Sequence, residues 1–230
     1  NSLASVFCVV VCESDGAASV ISARYFTVNQ QYLATYAHTF GKHNMSLLAG
    51  YEQYKFKKQG LSGYNNHLYN PYVGELGNAY GTSQKMTSSS TDDYMTEGFF
   101  GRAQYDYDGK YFASASIRRD ASSVFAPGHR WGTFGSIGAA WLISKESFLS
   151  DVKWINLLKL KVSYGEQGND NLSSISYPWH AYADMYTASY DETSKSYSFS
   201  MIQKGNEELT WETSKAWNFG VDFELFKNRL

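Results

Sequence analysis

The stretch WETSKAWNFGVDFELF, Trp211 to Phe226, alternates between two kinds of side chain along most of its length. From Trp217 onward one set is entirely apolar and consists of Trp217, Phe219, Val221, Phe223 and Leu225. The intervening set contains Asn218, Asp222 and Glu224. Successive side chains of a β-strand point to opposite faces, so a slip of one residue would exchange the two sets completely. The stretch therefore predicts a strand with a firmly specified register.

Further segments of the chain alternate in the same way, to varying degrees. They are Gln31–Phe40, Asn44–Tyr54, Phe99–Tyr107, Tyr111–Asp120, Gly132–Ile143 and Leu158–Gly165. The composition agrees with strands, because the chain has 19 Tyr, 14 Phe and 6 Trp but only 3 Pro. We expect an all-β protein with much aromatic surface.

The connections between these segments differ in length from one end of the strands to the other. Tight turns are expected at Gly41-Lys42-His43 and at Asp108-Gly109-Lys110, since Asp-Gly between alternating segments is a strong hairpin signal. Long polar connections are Lys55–Gly98, Ala121–Trp131 and Glu166–Thr210. Ser144–Asn156 blurs the pattern, because it lies with the tight turns but is longer than Ala121–Trp131. Short turns at one end and long loops at the other are typical of outer-membrane barrels.

The strand lengths also fit a barrel wall, since about ten residues at ~3.3 Å each, tilted by about 45°, cross an apolar band of roughly 25 Å. A soluble antiparallel sandwich alternates too, although its strands are usually shorter and its loops rarely exceed about 15 residues. The expected fold is an antiparallel transmembrane β-barrel, represented by about seven to eight strands, with short periplasmic turns and long extracellular loops. Because an open sheet edge is unfavourable in lipid, we expect the segment to belong to a longer chain.

The predicted lipid-facing residues are Trp217, Phe219, Val221, Phe223 and Leu225. Asp222 and Glu224 would be penalised at mid-bilayer and are expected in the lumen. Lys215 shares the lipid face and is tolerable only near an interface, where its long stem can snorkel. Aromatic residues near strand ends are expected to form interfacial girdles, namely Tyr51, Tyr54, Tyr107, Tyr111, Trp131 and Trp211.

Several classes of function have no support in the sequence. Lys plus Arg is 20 against 22 Asp plus Glu, so there is no basic surplus for nucleic acid. Phosphate-binding loops, nucleophile elbows and zinc-protease motifs are not found. Cys8 and Cys12 form a lone pair that lacks the second pair of a zinc site, and the five histidines are scattered. We therefore expect neither an enzyme nor a cofactor or metal.

The long loops are rich in Tyr, Ser, Asn and Gly, a mixture that combines flat rings with adaptable hydrogen bonding. It suits sugar stacking or protein contact, while packing of the loops on their own aromatic side chains is an equally open interpretation. The candidate contact residues for substrate or partner are Tyr177, Trp179, Tyr182, Tyr64, Tyr69 and Tyr72.

Three ordered stretches resemble the SusC/RagA family of TonB-linked outer-membrane transporters. They are RRDASSVFAPGHRWGTF (Arg118–Phe134), LKLKVSYGEQGNDN (Leu158–Asn171) and GNEELTWETSKAWNFGVDFELFKNRL (Gly205–Leu230). Two positions depart from the family pattern, since Ala121 replaces the usual Gly and Val124 stands where a basic residue is common.

The resemblance implies a Gram-negative outer-membrane barrel of about 22 strands with a plugged lumen. It also implies import of glycans or peptides, a SusD-like lipoprotein as lid, and energy supplied through TonB. Arg118-Arg119-Asp120 would lie at the headgroup level and Ala121–His129 in an extracellular loop. Residues 31–230 are assigned to the barrel and residues 1–30 are unassigned, with the plug and TonB box expected elsewhere. A secreted β-sandwich that binds carbohydrate is the alternative.

Overall fold

The computed structural model describes residues 2–8, 16–80, 86–150, 152 and 154–226. Within them the chain forms ten strands: β1 (Ser2–Cys8), β2 (Ala17–Phe40), β3 (His43–Asn66), β4 (Met86–Tyr107), β5 (Tyr111–Ser122), β6 (Trp131–Leu142), β7 (Ile155–Asn169), β8 (Met185–Asp191), β9 (Ser196–Gln203) and β10 (Glu212–Leu225). Short 3₁₀ turns lie at Ile143–Lys145, Ser147–Leu149 and Pro178–His180. Cys12 and the residues 227–230, which include Asn228, lie outside the described residues. None of the described helical segments is long and apolar enough to cross a membrane.

Eight of these strands form one sheet in the order β1-β2-β3-β4-β5-β6-β7-β10, and β8 and β9 form a separate hairpin. Neighbours in the large sheet are also neighbours in the chain, except that β7 pairs with β10 across the hairpin. The predicted antiparallel sheet is confirmed. The sandwich alternative is wrong, because a sandwich packs two sheets face to face.

All seven predicted segments are strands, but several are longer than their alternation indicates. β2 begins at Ala17 instead of Gln31, β3 ends at Asn66 instead of Tyr54, and β4 begins at Met86 instead of Phe99. Much of the expected loop Lys55–Gly98 is therefore strand. The added parts carry polar residues on both faces, so the period of two that reveals a half-apolar strand is lost while backbone pairing continues.

The predicted tight turns are confirmed and lie at one edge of the sheet, the turn edge. It consists of Gly41-Lys42, Asp108–Lys110 and residues 143–150. The opposite ends of β5, β6, β7 and β10 form the loop edge. Asp108 and Gly109 have φ values of 55° and 61°, as a type I′ hairpin requires. Neighbouring turns are joined, since the Lys42 ammonium lies 2.9 Å from the Asp108 carboxylate. That hydrogen bond lowers the pKa of Asp108.

The contacts divide the chain into two compact units, Asn1–Asn29 with Tyr54–Met95, and Gln30–Gln53 with Thr96–Leu230. In the first unit, Leu68 is buried and pairs with Ala79 in an isolated β-bridge. The second unit holds the turn edge, the loop edge and the stretches that resemble the transporter family.

Candidate functional site

The sheet of the second unit has two chemically different faces. Register aligns Phe219 with Val162 and Val162 with Ala139, and the chain of partners continues through Ala113 to Tyr105. We call this side the apolar face. One residue along, the partners are Asn218, Ser163, Gly138, Ser114 and Gln104, on what we call the polar face.

The bulky side chains predicted to face lipid all lie on the apolar face, as their spacing of two residues along β10 requires. Trp217 is 63% exposed and Phe219 is 78% exposed, although both are large apolar groups. Val221 and Phe223 are likewise exposed, and Leu225 is half-buried. Soluble monomers rarely present a continuous apolar surface of this kind.

Two rows of aromatic rings cross the apolar face, one near each edge. Near the turn edge, successive ring centres lie 4.9–6.3 Å apart along Phe40, His43, Tyr107, Tyr111 and Trp141. Near the loop edge, they lie 4.9–6.4 Å apart along Tyr32, Tyr51, Phe99 and Trp131. The ten-residue step from Trp131 to Trp141 on β6 corresponds to roughly 23 Å for a strand tilted by about 45°.

These rows contain four of the six residues expected in interfacial girdles: Tyr51, Tyr107, Tyr111 and Trp131. Trp211 is a correction, because its ring packs on Phe134 and Phe125 and its Nε1–H donates to the Arg130 carbonyl. Tyr54 lies in the first unit, where its ring contacts Tyr94.

Lys215 has a partner on the apolar face that the sequence did not reveal. Its ammonium lies 3.3 Å from the Glu166 carboxylate, which also accepts a 2.8 Å hydrogen bond from the Tyr164 hydroxyl. Glu166 is the register partner of Lys215, toward the loop-edge side of Trp217. The charge is compensated locally, so it does not have to be stabilised by snorkelling alone.

The polar face presents ion pairs and hydroxyl groups around a concavity of about 870 Å³. Lys161 binds Asp222 at 2.6 Å, and the hydroxyls of Ser116 and Ser136 are 2.7 Å apart. Residues lining the concavity include Asn44, Gln104, Ser114, Lys161, Ser163 and Asn218. This surface can hydrogen-bond water, a polar solute or another polar protein surface.

The charges of Arg118-Arg119-Asp120 are divided between the two faces of the sheet, and their expected position at the headgroup level stays a prediction. Arg118 donates from Nε to both Asp120 oxygens, at 2.7 and 2.6 Å, and reaches Glu52 at 3.3 Å. Gly98 leaves room for the Asp120 carboxylate, because a Cβ there would overlap it. Only Arg119 lies on the apolar face, with its guanidinium 5.2 Å from the Trp131 ring centre.

The expected loop Ala121–His129 is not an open loop but part of a buried cluster at the loop edge. Phe125 is 0% exposed, and its ring centre lies 5.6 Å from that of Trp211. Trp211 also meets Phe134 edge-on at 5.5 Å. Phe134 packs so closely on Gly168 that a Cβ at that position would overlap its ring. We call Phe125, Phe134 and Trp211 the loop-edge cluster.

Hydrogen bonds join the same segments around this cluster. Ser122 donates to the Asp170 carboxylate at 2.7 Å, Arg130 donates to the Phe125 carbonyl at 3.0 Å, and Trp211 donates to the Arg130 carbonyl at 2.7 Å. The three stretches that resemble the transporter family therefore meet in space. Val124 is buried beside Phe125, so the apolar residue at this unusual position suits its surroundings.

Tyr177, Trp179 and Tyr182 lie together at the base of the β7–β10 connection. Gln203 holds this base, since its amide accepts from the Tyr177 backbone N–H at 3.0 Å and donates to the Tyr177 and His180 carbonyls. Tyr177 is exposed, and Trp179 and Tyr182 are partly exposed. Whether they contact a substrate or partner stays a prediction.

The predicted loop Glu166–Thr210 contains the hairpin β8–β9, so the prediction of a loop is wrong for these residues. Its register pairs Tyr186 with Met201, Ala188 with Phe199 and Tyr190 with Tyr197, so all six side chains share one face. That face is exposed, while Thr187, Ser189, Ser198 and Ser200 occupy the other. Aromatic or apolar residues alternate with Ser and Thr along both strands, and this alternation is a sequence signal that predicts the hairpin.

Tyr64, Tyr69 and Tyr72 belong to the first unit. Tyr64 lies on β3 and not in a loop, which corrects its predicted setting. Tyr69 contacts the Tyr80 ring at 5.2 Å, and Tyr72 is 94% exposed. Their role as contact residues also stays a prediction. Within the described part of the chain, no group of three His, Cys, Asp or Glu residues is arranged to hold a metal ion.

Comparisons with known proteins agree with this geometry. The family model described as "TonB dependent receptor-like, beta-barrel" matches residues 13–230. TonB-dependent receptor P3 of Formosa agariphila is 34% identical over 89% of the chain, and TonB-dependent receptor SusC of Bacteroides thetaiotaomicron is 28% identical over 89%. A solved structure of the RagAB peptide transporter superposes on 92% of the chain with a TM-score of 0.81 and 26% identity. The chain spans 20% of each of these two relatives and 23% of the solved chain.

Proposed function

Because this chain belongs to the TonB-dependent receptor-like β-barrel family, we propose that it forms part of the wall and surface loops of an outer-membrane importer. The family is one of receptors and transporters and not of enzymes. The observation that carries the proposal is the exposed apolar face of the second unit, bounded by two aromatic rows.

The free energy of burial supports this placement. Each large side chain moved from water into an apolar medium gains about 1.5–3 kcal/mol, so contact with lipid stabilises an exposed face of Trp, Phe and Val. Tyr and Trp suit the two interfaces, since one part of each ring system is apolar and the other is polar. The apolar face then faces the bilayer, with Trp217, Phe219, Val221, Phe223 and Leu225 in contact with acyl chains.

The polar face then lines the lumen. Its Lys161–Asp222 pair and serine hydroxyls would be costly against hydrocarbon and are well solvated in a water-filled or protein-filled interior. The concavity of about 870 Å³ lies on this side. We assign it to the import path or to the surface that meets the plug.

The cargo is a glycan or a peptide, and the partner is a SusD-like surface lipoprotein, with energy supplied through TonB. Two relatives support this assignment: one is named SusC, and the other is a RagAB peptide transporter. The plug, the TonB contact and the remaining strands belong to the rest of the transporter, and residues 31–230 contribute barrel.

We propose that the base of the β7–β10 connection contacts the substrate or the lipoprotein. Tyr177, Trp179 and Tyr182 stand on a base held by Gln203 and by a 2.8 Å hydrogen bond from the Gly205 N–H to Asp184. A fixed base lowers the entropy lost when aromatic side chains bind. Tyr64, Tyr69 and Tyr72 are proposed as further contacts.

Replacing Tyr177, Trp179 and Tyr182 together by alanine in the complete transporter should leave assembly intact and weaken uptake or retention of the lipoprotein by about tenfold. A tenfold loss corresponds to about 1.4 kcal/mol, which one aromatic anchor among the three is sufficient to supply. Growth on the cognate nutrient and co-purification of the lipoprotein measure the effect. The control replaces Thr187, Ser189 and Ser198 by alanine on the polar side of the hairpin. Unchanged uptake and unchanged co-purification would reduce the three aromatics to loop packing.

A further inference from the structure

An apolar groove of about 550 Å³ crosses the apolar face between β2 and β5. Tyr36, Leu47 and Ile117 form its sides, and smaller residues that include Ala49, Gly101 and Ala103 form its floor. Ile117 is 60% exposed, and Gly101 is its register partner on β4. Small residues on the floor and large apolar residues on the sides make the groove deep enough to hold a single acyl chain.

Arg119 stands at the loop-edge end of this groove. It follows Ile117 by two residues on the same strand and so lies on the same face. Its register partners are Phe99 and Thr133, and its guanidinium lies over the Trp131 ring. Trp131 lies nearer to the loop edge than Arg119 does, so the guanidinium extends away from the groove while the stem remains over apolar surface.

The charge of Arg119 has no ion-pair partner among the residues that the structure describes. Arg118 next to it is held by Asp120 and Glu52, and Lys215 is held by Glu166. Glu97, on the strand beside Arg119, accepts a 3.2 Å hydrogen bond from the Tyr51 hydroxyl. A guanidinium at a membrane interface is complemented by phosphate, which it can bind with two parallel hydrogen bonds.

We propose that the groove and Arg119 bind one phosphate-bearing lipid of the outer leaflet. The acyl chain occupies the groove, and the headgroup phosphate contacts Arg119 and the exposed hydroxyl of Thr133. The inference rests on the proposed placement of the apolar face in the membrane. A lipid is favoured over a free anion because the apolar groove begins beside the cation, and a free phosphate gains nothing from it.

The test uses the full-length transporter purified in dodecyl maltoside, a detergent without phosphate, with phosphatidylglycerol as the probe. Native mass spectrometry measures the occupancy of bound lipid during a titration. Arg119→Gln should weaken the tightest site by about tenfold, a typical loss for a charge-assisted hydrogen bond. Arg119→Lys should fall between, because an ammonium lacks the fork of the guanidinium. Lys215→Gln is the matched control and should bind as the wild type does.

A second variant separates the groove from the charge. Ala103→Leu fills the floor and should also weaken binding, with Arg119 intact, while inorganic phosphate at the same concentration should not displace the lipid. Heat-modifiable migration on gels confirms that each variant is folded. Equal lipid affinity in the wild type and Arg119→Gln, or displacement by inorganic phosphate, would overturn the proposal. Uptake assays are independent of this readout, so a failure to transport would count against the proposed function alone.

Discussion

Replacing Phe219 by arginine is expected to remove most of the folded transporter from the outer membrane. Phe219 is the most exposed of the apolar residues along β10, and it lies beside Val162 in the middle of the apolar face. An arginine near the bilayer midplane costs about 2–4 kcal/mol. The cost applies to the assembled barrel, so the amount of heat-modifiable protein in outer membranes measures it.

The control for this experiment is the neighbouring residue. Asn218→Arg introduces the same charge on the same strand, but on the polar face opposite Ser163. It should assemble at nearly the wild-type level, because the lumen can solvate a guanidinium. Equal loss of folded protein from both substitutions would show that the two faces do not differ in environment and that Phe219 does not face lipid.

Replacing Phe125 by alanine is expected to have the second large effect, destabilising the loop edge by about 3–5 kcal/mol. The side chain is completely buried and packs on Trp211. Its removal leaves a cavity between segments that are far apart in the sequence. The temperature at which the full-length protein loses heat-modifiable migration should fall, and the β5–β6 connection should become accessible to protease.

Phe148→Ala serves as the comparison for Phe125→Ala, because Phe148 is an exposed phenylalanine in the β6–β7 connection. It should change neither the unfolding temperature nor the digestion pattern. A Phe125→Ala protein as stable as Phe148→Ala would contradict the loop-edge cluster, since a fully buried ring cannot be removed without loss of packing.

The sequence alone predicts the strands that carry the apolar face and the polar face, because side chains of the two kinds alternate along them. The stretch Trp211–Phe226 illustrates the strength of that signal, since every predicted lipid-facing residue of β10 shares one face. Apolar and polar residues do not alternate where β3 and β4 continue through polar stretches such as KFKKQG and SSSTDD. Pairing there depends on backbone hydrogen bonds, which side-chain type does not report.

The candidate site was less accessible to sequence reasoning because it depends on distant residues. Arg118 and Arg119 are adjacent and identical, yet one is committed to Asp120 on the polar face and the other stacks on Trp131. Likewise, Trp211 was expected at an interface, since nothing local indicated that Phe125 and Phe134 would enclose it. The resemblance identified the right stretches, and the structure gives a physical reason for their association.

The central claim is that this sheet crosses the outer membrane, with the turn edge on the periplasmic side and the loop edge on the extracellular side. Cysteine labelling on intact cells tests this claim most directly. In the full-length transporter with Cys8 and Cys12 replaced by serine, Ser174→Cys marks the β7–β10 connection and Ser147→Cys marks the turn edge. Both serines are exposed, so each is a conservative exchange. A membrane-impermeant maleimide should label Ser174→Cys on intact cells and Ser147→Cys only after the outer membrane is permeabilised. Labelling of Ser147→Cys on intact cells, with or without Ser174→Cys, would contradict the membrane-spanning arrangement.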